Sequence, residues 1–333
     1  MSQEIPSISE QIPILINLIV DDKRKSAKRF LKQVMELTAV ALFLFSSLLV
    51  PLYCAILSVI GLFSPLLPVV ILYGFLLFHD HKATLKRFGE KIGLRKWYAW
   101  QLIANYFPIK IRKTADLPAD ENYIIGCHPN GLGFFGSFIS LCTDNTDFTI
   151  SFPGIHSTLA VKNESFYIPF QREELMALGI IGMDNESIDQ YLKEKAGKAV
   201  GIVVDYNADV SQLVSSEHGS HLKDRRDLIR LAFRHGAHLV PMYCSSDSKK
   251  SEQSHTNSEN WLTETLKLVK NFVSWLPFFV DPNSWDGIFP ERKQINCVFG
   301  PPISVSKNDD PSPEQVEEIY KRYCDELKKL VDI

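Results

Sequence analysis

The chain has 333 residues, 45% of them hydrophobic and 23% charged, with a formal net charge of -3. That is enough apolar material for one large domain with an appendage, and it excludes an intrinsically disordered chain. The lack of a basic excess argues against a nucleic-acid binder, whose phosphate contacts show as clustered positive charge.

Residues 1–20 lack a charged n-region followed by a cleavage pattern, so no cleaved signal peptide is expected. A basic cluster, Asp21-Asp-Lys-Arg-Lys-Ser-Ala-Lys-Arg29, leads into an apolar stretch in which Leu37 to Phe78 contains no Asp, Glu, Lys, Arg or His. One bilayer crossing takes about 20 residues, so this stretch has room for two helices and a turn. Gly61, Pro65 and Pro68 place the break between Ser58 and Pro68, because proline suits a turn or a helix start better than a helix interior. Basic residues flank both ends, Lys23 to Lys32 before and Lys82 to Lys96 after, which predicts a transmembrane hairpin with both ends cytosolic. The domains expected are therefore a cytosolic segment (1–36), a hairpin (37–78) and a cytosolic α/β domain (79–333).

Beyond Trp97 short apolar runs alternate with amphipathic stretches, the texture of an α/β domain. Strands are predicted at Tyr123 to Cys127, Ser157 to Val161, Ala199 to Val204, His238 to Tyr243 and Ile295 to Phe299. Helices are predicted at Leu132 to Leu141, Asn185 to Lys195, Arg225 to Arg234, Trp261 to Trp275 and Pro313 to Val331. The last begins on Ser312 as N-cap, with Pro313 at the first helical position and Gln315 completing a capping box. Ser245 to Asn260 reads as a solvated loop. The segment Trp261 to Phe279 is apolar enough for either a membrane-surface helix or a core helix. The six cysteines stand singly, without a Cys-x-x-Cys pair, and read as buried free thiols; Cys127 alone adjoins a candidate site.

That site is Tyr123-Ile-Ile-Gly-Cys-His128-Pro-Asn-Gly131-Leu-Gly-Phe-Phe-Gly136, read as strand, sharp turn and helix N-terminus. Such a junction holds an imidazole at the lip of a cleft and aims backbone N–H groups and a positive helix end at nearby negative charge. Gly131-Leu-Gly-Phe-Phe-Gly136 fits the dinucleotide pattern G-x-G-x-x-G, but the acidic residue expected about 20 positions later is absent. No Walker loop, Gly-x-Ser-x-Gly elbow or His-Glu-x-x-His occurs, so no cofactor and no metal is expected. A general base beside an oxyanion site suits acyl transfer.

Here the sequence resembles a known family. Cys127-His-Pro-Asn-Gly-Leu-Gly-Phe-Phe-Gly-Ser-Phe138 is similar to the His-Pro-His-Gly segment of the type-2 diacylglycerol acyltransferases and their monoacylglycerol and wax-ester relatives. Phe152-Pro-Gly-Ile155, Arg225 with Leu231 to Pro241, Trp285 to Pro290 and Val298 to Ile303 fall in the family's order. The chain departs from the pattern at Asn130, which replaces the second histidine, at Asp205-Tyr-Asn-Ala-Asp209, which replaces Gly-Gly-x-x-Glu, and at Asp227, which replaces a glycine.

The resemblance implies a glycerolipid-acyltransferase-like α/β domain that moves an acyl group from acyl-CoA to a neutral-lipid hydroxyl, diacylglycerol first among the acceptors. Monoacylglycerol, a long-chain alcohol, a lysophospholipid and a non-catalytic lipid-binding role are the alternatives. His128 is the expected base and Asp209 the acceptor that would orient it. Asn130, Gly131, Leu132 and Gly133 are expected around the oxyanion and substrate. Arg226, Arg230 and Arg234, four residues apart on one helix face, suit coenzyme A phosphates or anionic headgroups. The expected setting is the endoplasmic reticulum membrane or a lipid droplet, and a homo-oligomer is compatible with it.

Overall fold

The structure is a computed structural model describing residues 8–46, 50–61, 65, 67–79, 93–130, 132–144, 146–168, 171–204, 221–246 and 290–332. Its described helices are α1 (Ile8–Leu44), α2 (Val50–Gly61), α3 (Leu67–His79), α4 (Tyr98–Tyr106), α5 (Gly133–Cys142), α6 (Phe148–Ser151), α7 (Gln171–Ala177), α8 (Asn185–Lys193), α9 (His221–His235) and α10 (Pro313–Val331). The strands are β1 (Ile109–Lys113), β2 (Tyr123–Asn130), β3 (His156–Val161), β4 (Ile181–Gly182), β5 (Lys198–Val203), β6 (His238–Ser246) and β7 (Ile295–Phe299).

The strands form one sheet in the order β1-β7-β6-β2-β5-β3-β4. From β6 to β4 the neighbours are parallel, whereas β7 runs antiparallel to β6 and carries β1 parallel to itself. Helices cover both faces, which is why the central strands are apolar almost throughout instead of alternating. On β2, Tyr123, Ile125 and Cys127 pack with α5, α4 and the end of α1, while Ile124 packs with α8, α9 and α10.

The α/β class and every predicted strand are present. β2, β5 and β6 differ from expectation by a few residues at their ends, and β7 matches at both. The capping box at Ser312 and Gln315 forms, and Val316, Ile319, Tyr323, Leu327 and Leu330 are the buried stripe of α10. Sequence reasoning missed β1, whose Ile-Lys-Ile-Arg-Lys reads as solvated because it is an edge strand, and β4, which is only two residues long. The predicted helix Trp261 to Trp275 lies outside the described residues.

The amino-terminal region departs further from expectation. α1 runs without a break across the boundary set at residues 36 and 37. Its last turns enter the core, where Ala39, Val40, Phe43 and Leu44 are buried. α2 and α3 break where the prolines predicted, but they contain 12 and 13 residues, about 18–20 Å each, against about 30 Å of hydrocarbon. Among the described residues no helix is long and apolar enough to cross a membrane. Arg95, counted in the basic flank, instead lies against the carboxyl end of α5: it donates to Leu141 O at 3.0 Å and Leu178 O at 3.3 Å and pairs with Asp144. A cation at that end complements the helix dipole and holds α5 in place.

Candidate active site

His128 lies near the carboxyl end of β2, with β5 on one side and β6 on the other, opposite Tyr243 in the β6 register. The carboxyl ends of neighbouring parallel strands are where open α/β sheets place their reactive groups. The ring is buried, and its Nε2 lies 2.8 Å from Tyr323 Oη. That hydroxyl donates to Gly126 O at 3.3 Å, so its lone pair accepts from Nε2–H, and the lone pair of the imidazole is on Nδ1. Tyr323 is itself fully buried, which fixes the ring through a rigid group.

Gly126 explains why this contact exists. A Cβ there would lie 1.9 Å from Tyr323 Oη and 2.9 Å from Leu228 Cδ2, so only glycine admits the tyrosine against β2. Sequence reasoning missed Tyr323 because its spacing on α10 marks it as core. The available signal was the glycine two residues before His128, on the same face of the strand.

The remaining expected residues fall in three groups. Asn130 ends β2 opposite Ser245, and Leu132 precedes α5 without making a side-chain cap. α5 begins at Gly133, so its positive end lies just beyond the histidine turn. Gly131 and Asp209 lie outside the described residues. Val204 N donates to Cys127 O at 3.0 Å, so the described residues after β5 end beside the residue that precedes His128.

The arginines of α9 are the third group. Arg226 is held by Glu317 of α10, with Nε and Nη2 at 3.1 and 3.0 Å from Oε2, and its guanidinium stacks 4.9 Å from the Tyr320 ring centroid. It joins two helices. Arg230 pairs with Asp227 at 2.8 Å, and Arg234 is exposed in the last turn. Arg230 and Arg234 therefore stay at the surface, where an anion can reach them.

Gly136 has a packing role: a Cβ there would lie 2.5 Å from Cys297 Sγ and 2.6 Å from Ile295 Cγ2, so it lets α5 approach the sheet. Cys127 faces that helix layer, and burial pushes its thiol well above the usual range, which argues against a reactive thiolate. Cys244 and Cys297, far apart in sequence, are direct cross-strand partners with sulfurs 2.9 Å apart, both as free thiols. No group of side chains among the described residues could hold a metal.

Residues 59–333 match the family model described as diacylglycerol acyltransferase. The chain is 35% identical to the mouse acyl-CoA wax alcohol acyltransferase 1 over 275 residues, 81% of this chain and 84% of that protein. It is 31% identical to diacylglycerol O-acyltransferase 1 of Schizosaccharomyces pombe, over 99% of this chain and 94% of that one. With the human 2-acylglycerol O-acyltransferase 3 it shares 30% identity, over 92% of each. A 1-acyl-sn-glycerophosphate acyltransferase from Thermotoga maritima covers 91% of this chain and 99% of its own at 14% identity with a TM-score of 0.35, too loose a likeness to carry weight.

Proposed function

The chain belongs to the diacylglycerol acyltransferase family, and from that premise we propose that it transfers a fatty acyl group from acyl-CoA to diacylglycerol, with His128 as general base. It is an acyl-CoA-dependent O-acyltransferase; the acceptor and the residue roles are our reading. The observation that carries the reading is the His128–Tyr323–Gly126 chain of hydrogen bonds, which orients an imidazole at the carboxyl end of the central strand.

In this mechanism His128 takes the proton of the acceptor hydroxyl as its oxygen attacks the thioester carbonyl. Charge moves onto the carbonyl oxygen, where N–H groups of the Gly131, Leu132 and Gly133 segment and the positive end of α5 stabilise it. The tetrahedral species collapses, the C–S bond breaks, and the thiolate leaves with the proton held on His128. A thiolate is a good leaving group, so no covalent enzyme intermediate is needed. Burial of the ring excludes water and protects the thioester from hydrolysis. Asn130 is assigned to substrate positioning, since an amide donates hydrogen bonds but does not titrate. Asp209 is assigned to stabilise the imidazolium by its charge, since Tyr323 and the acceptor hydroxyl take the two ring nitrogens, and Arg230 and Arg234 to coenzyme A phosphates.

The apolar hairpin α2–α3, whose Tyr53, Val59, Ile60, Val69, Ile71 and Phe75 are exposed, supports a membrane anchor. We place it in the endoplasmic reticulum membrane with both chain ends cytosolic, because a diacylglycerol acceptor resides in the bilayer.

The test is acyl transfer by the purified protein from labelled acyl-CoA to a panel of diacylglycerol, monoacylglycerol, long-chain alcohol and lysophospholipid. Diacylglycerol is expected to turn over fastest. Loss of a general base lowers turnover by about a hundredfold to ten-thousandfold, so His128→Ala should be nearly inactive while still folding. Asn130→His should keep or raise activity. Undiminished turnover in His128→Ala overturns the mechanism, and preference for another acceptor overturns the substrate assignment alone.

A further inference from the structure

A groove of about 810 Å³ lies between α1, α4 and α7, within the roughly 300–1,000 Å³ of small-molecule sites. Its floor is aromatic: Phe43 and Trp100 rest on Phe138 of α5, with ring centroids 5.4 and 5.7 Å away. Leu42, Trp97 and Ile103 add to the lining, and among the described residues no Lys, Arg or His takes part. Polar groups gather at one place. Glu174 accepts from Ser46 Oγ at 3.4 Å, and the adjacent Glu173 accepts at 3.4 Å from Tyr73 of α3.

Two features identify the occupant. Tyr73 brings α3 of the apolar hairpin to the polar end of the groove, and Leu42, Phe45, Trp97 and Tyr98 are each more than half exposed, as are Ile71, Leu72 and Phe75 on α3. Exposed Trp and Tyr beside aliphatic surface are what a membrane–water boundary selects. Among the described residues the lining has two carboxyl groups and no cation, so a phosphate, a carboxylate or a coenzyme A headgroup finds no complement. An uncharged chain with a hydroxyl does.

We infer that this groove binds one long-chain lipid with an uncharged, hydroxylated head, its chain over Phe43 and Trp100 and its hydroxyl at Glu174 and Ser46. Burial raises the Glu174 carboxyl to about 7, which favours the neutral form that can both donate to and accept from such a head. The groove is not the reaction centre. Cys127 and Ile125 face α5 and the groove's layer, whereas His128 reaches the α10 tyrosine on the other face of the sheet. The lipid is held there, where it bridges α1 to α4, and is not the molecule being acylated.

Trp97 and Trp100 supply the readout. The full-length chain in dodecyl maltoside micelles is titrated with a dibrominated octadecanol, whose bromines quench nearby tryptophans, and in parallel with the coenzyme A thioester of the dibrominated acid. We expect saturable quenching by the alcohol, weaker quenching by the thioester, and loss of the saturable component in Trp97→Phe/Trp100→Phe. Ala99→Phe or Thr38→Phe, whichever keeps the parent melting temperature, fills the groove and should weaken the alcohol by about tenfold. His128→Ala should bind the alcohol normally, so this inference stands or falls separately from the assignment of the base. Quenching that rises linearly with mole fraction, or is unchanged in the filled variants, overturns it. Equal competition by octadecanol and octadecane overturns the assignment of the headgroup.

Discussion

Replacing Tyr323 with phenylalanine removes one buried oxygen and leaves the ring packing in place. The lost hydroxyl makes two contacts, 2.8 Å to His128 Nε2 and 3.3 Å to Gly126 O. A buried hydrogen bond contributes about 1 kcal/mol net, and leaving its partner unsatisfied costs about 1–3 kcal/mol, so stability should fall by roughly 1–3 kcal/mol. The catalytic effect follows from orientation. Without its acceptor the imidazole is free to flip and to change tautomer, and about 1.4–2.7 kcal/mol of transition-state stabilisation corresponds to roughly ten- to a hundredfold in kcat. The assay is initial-rate acyl transfer by purified protein at saturating acyl-CoA, with thermal unfolding measured on the same samples. The expected result is a kcat loss with KM little changed and an altered pH–rate profile, which a purely structural tyrosine would not produce. Gly126→Ala is the companion variant. It should damage both readouts, and less so in the Tyr323→Phe background, where the atom 1.9 Å from the new methyl is gone. Turnover by Tyr323→Phe within about twofold of the parent, under 0.5 kcal/mol, would refute the positioning role.

The Glu174 carboxyl is raised from 4.5 to about 7 by burial, so the folded chain keeps a proton that the unfolded chain releases between those values. Its contribution is complete below 4.5 and lost as pH rises through 7, with a ceiling of about 3 kcal/mol; Glu174→Gln should flatten the decline of melting temperature over that window, and equal slopes would sink the assignment. Arg292 pairs with Glu36, whose side chain is 1% exposed, and its guanidinium lies 5.6 Å from the Tyr106 ring centroid. Arg292→Met leaves the buried carboxylate only Lys32, 3.8 Å away, and should destabilise the chain by up to about 3 kcal/mol, with α1 becoming protease-sensitive first, whereas an unchanged melting temperature would show that the pair does not hold α1. Tags at both chain ends should be cleaved by protease added to intact microsomes, and protection of either end would exclude an anchor that returns to the cytosolic side.

The sequence by itself determined the parts that depend on neighbours in the chain. The strand-to-helix turn at His128 follows from an apolar run ending in Pro-Asn-Gly, and the start of α10 from Ser312, Pro313 and Gln315, because backbone hydrogen bonds and capping act over a few residues. Strand β7 was legible at both ends for the same reason. Tertiary structure decided who meets whom. The partner of His128 lies 195 residues away on a helix whose periodicity announces only burial, and Arg226 left the expected anion stripe because α10 brings Glu317 against it. The stretch from Leu37 to Phe78 shows the limit most clearly. Val40 is fully buried in the protein core, while Leu42, two residues on, is 60% exposed and lines the groove mouth. Hydrophobicity records that a side chain should leave water; whether it goes into a core, a groove or a bilayer depends on which surfaces the fold brings to it.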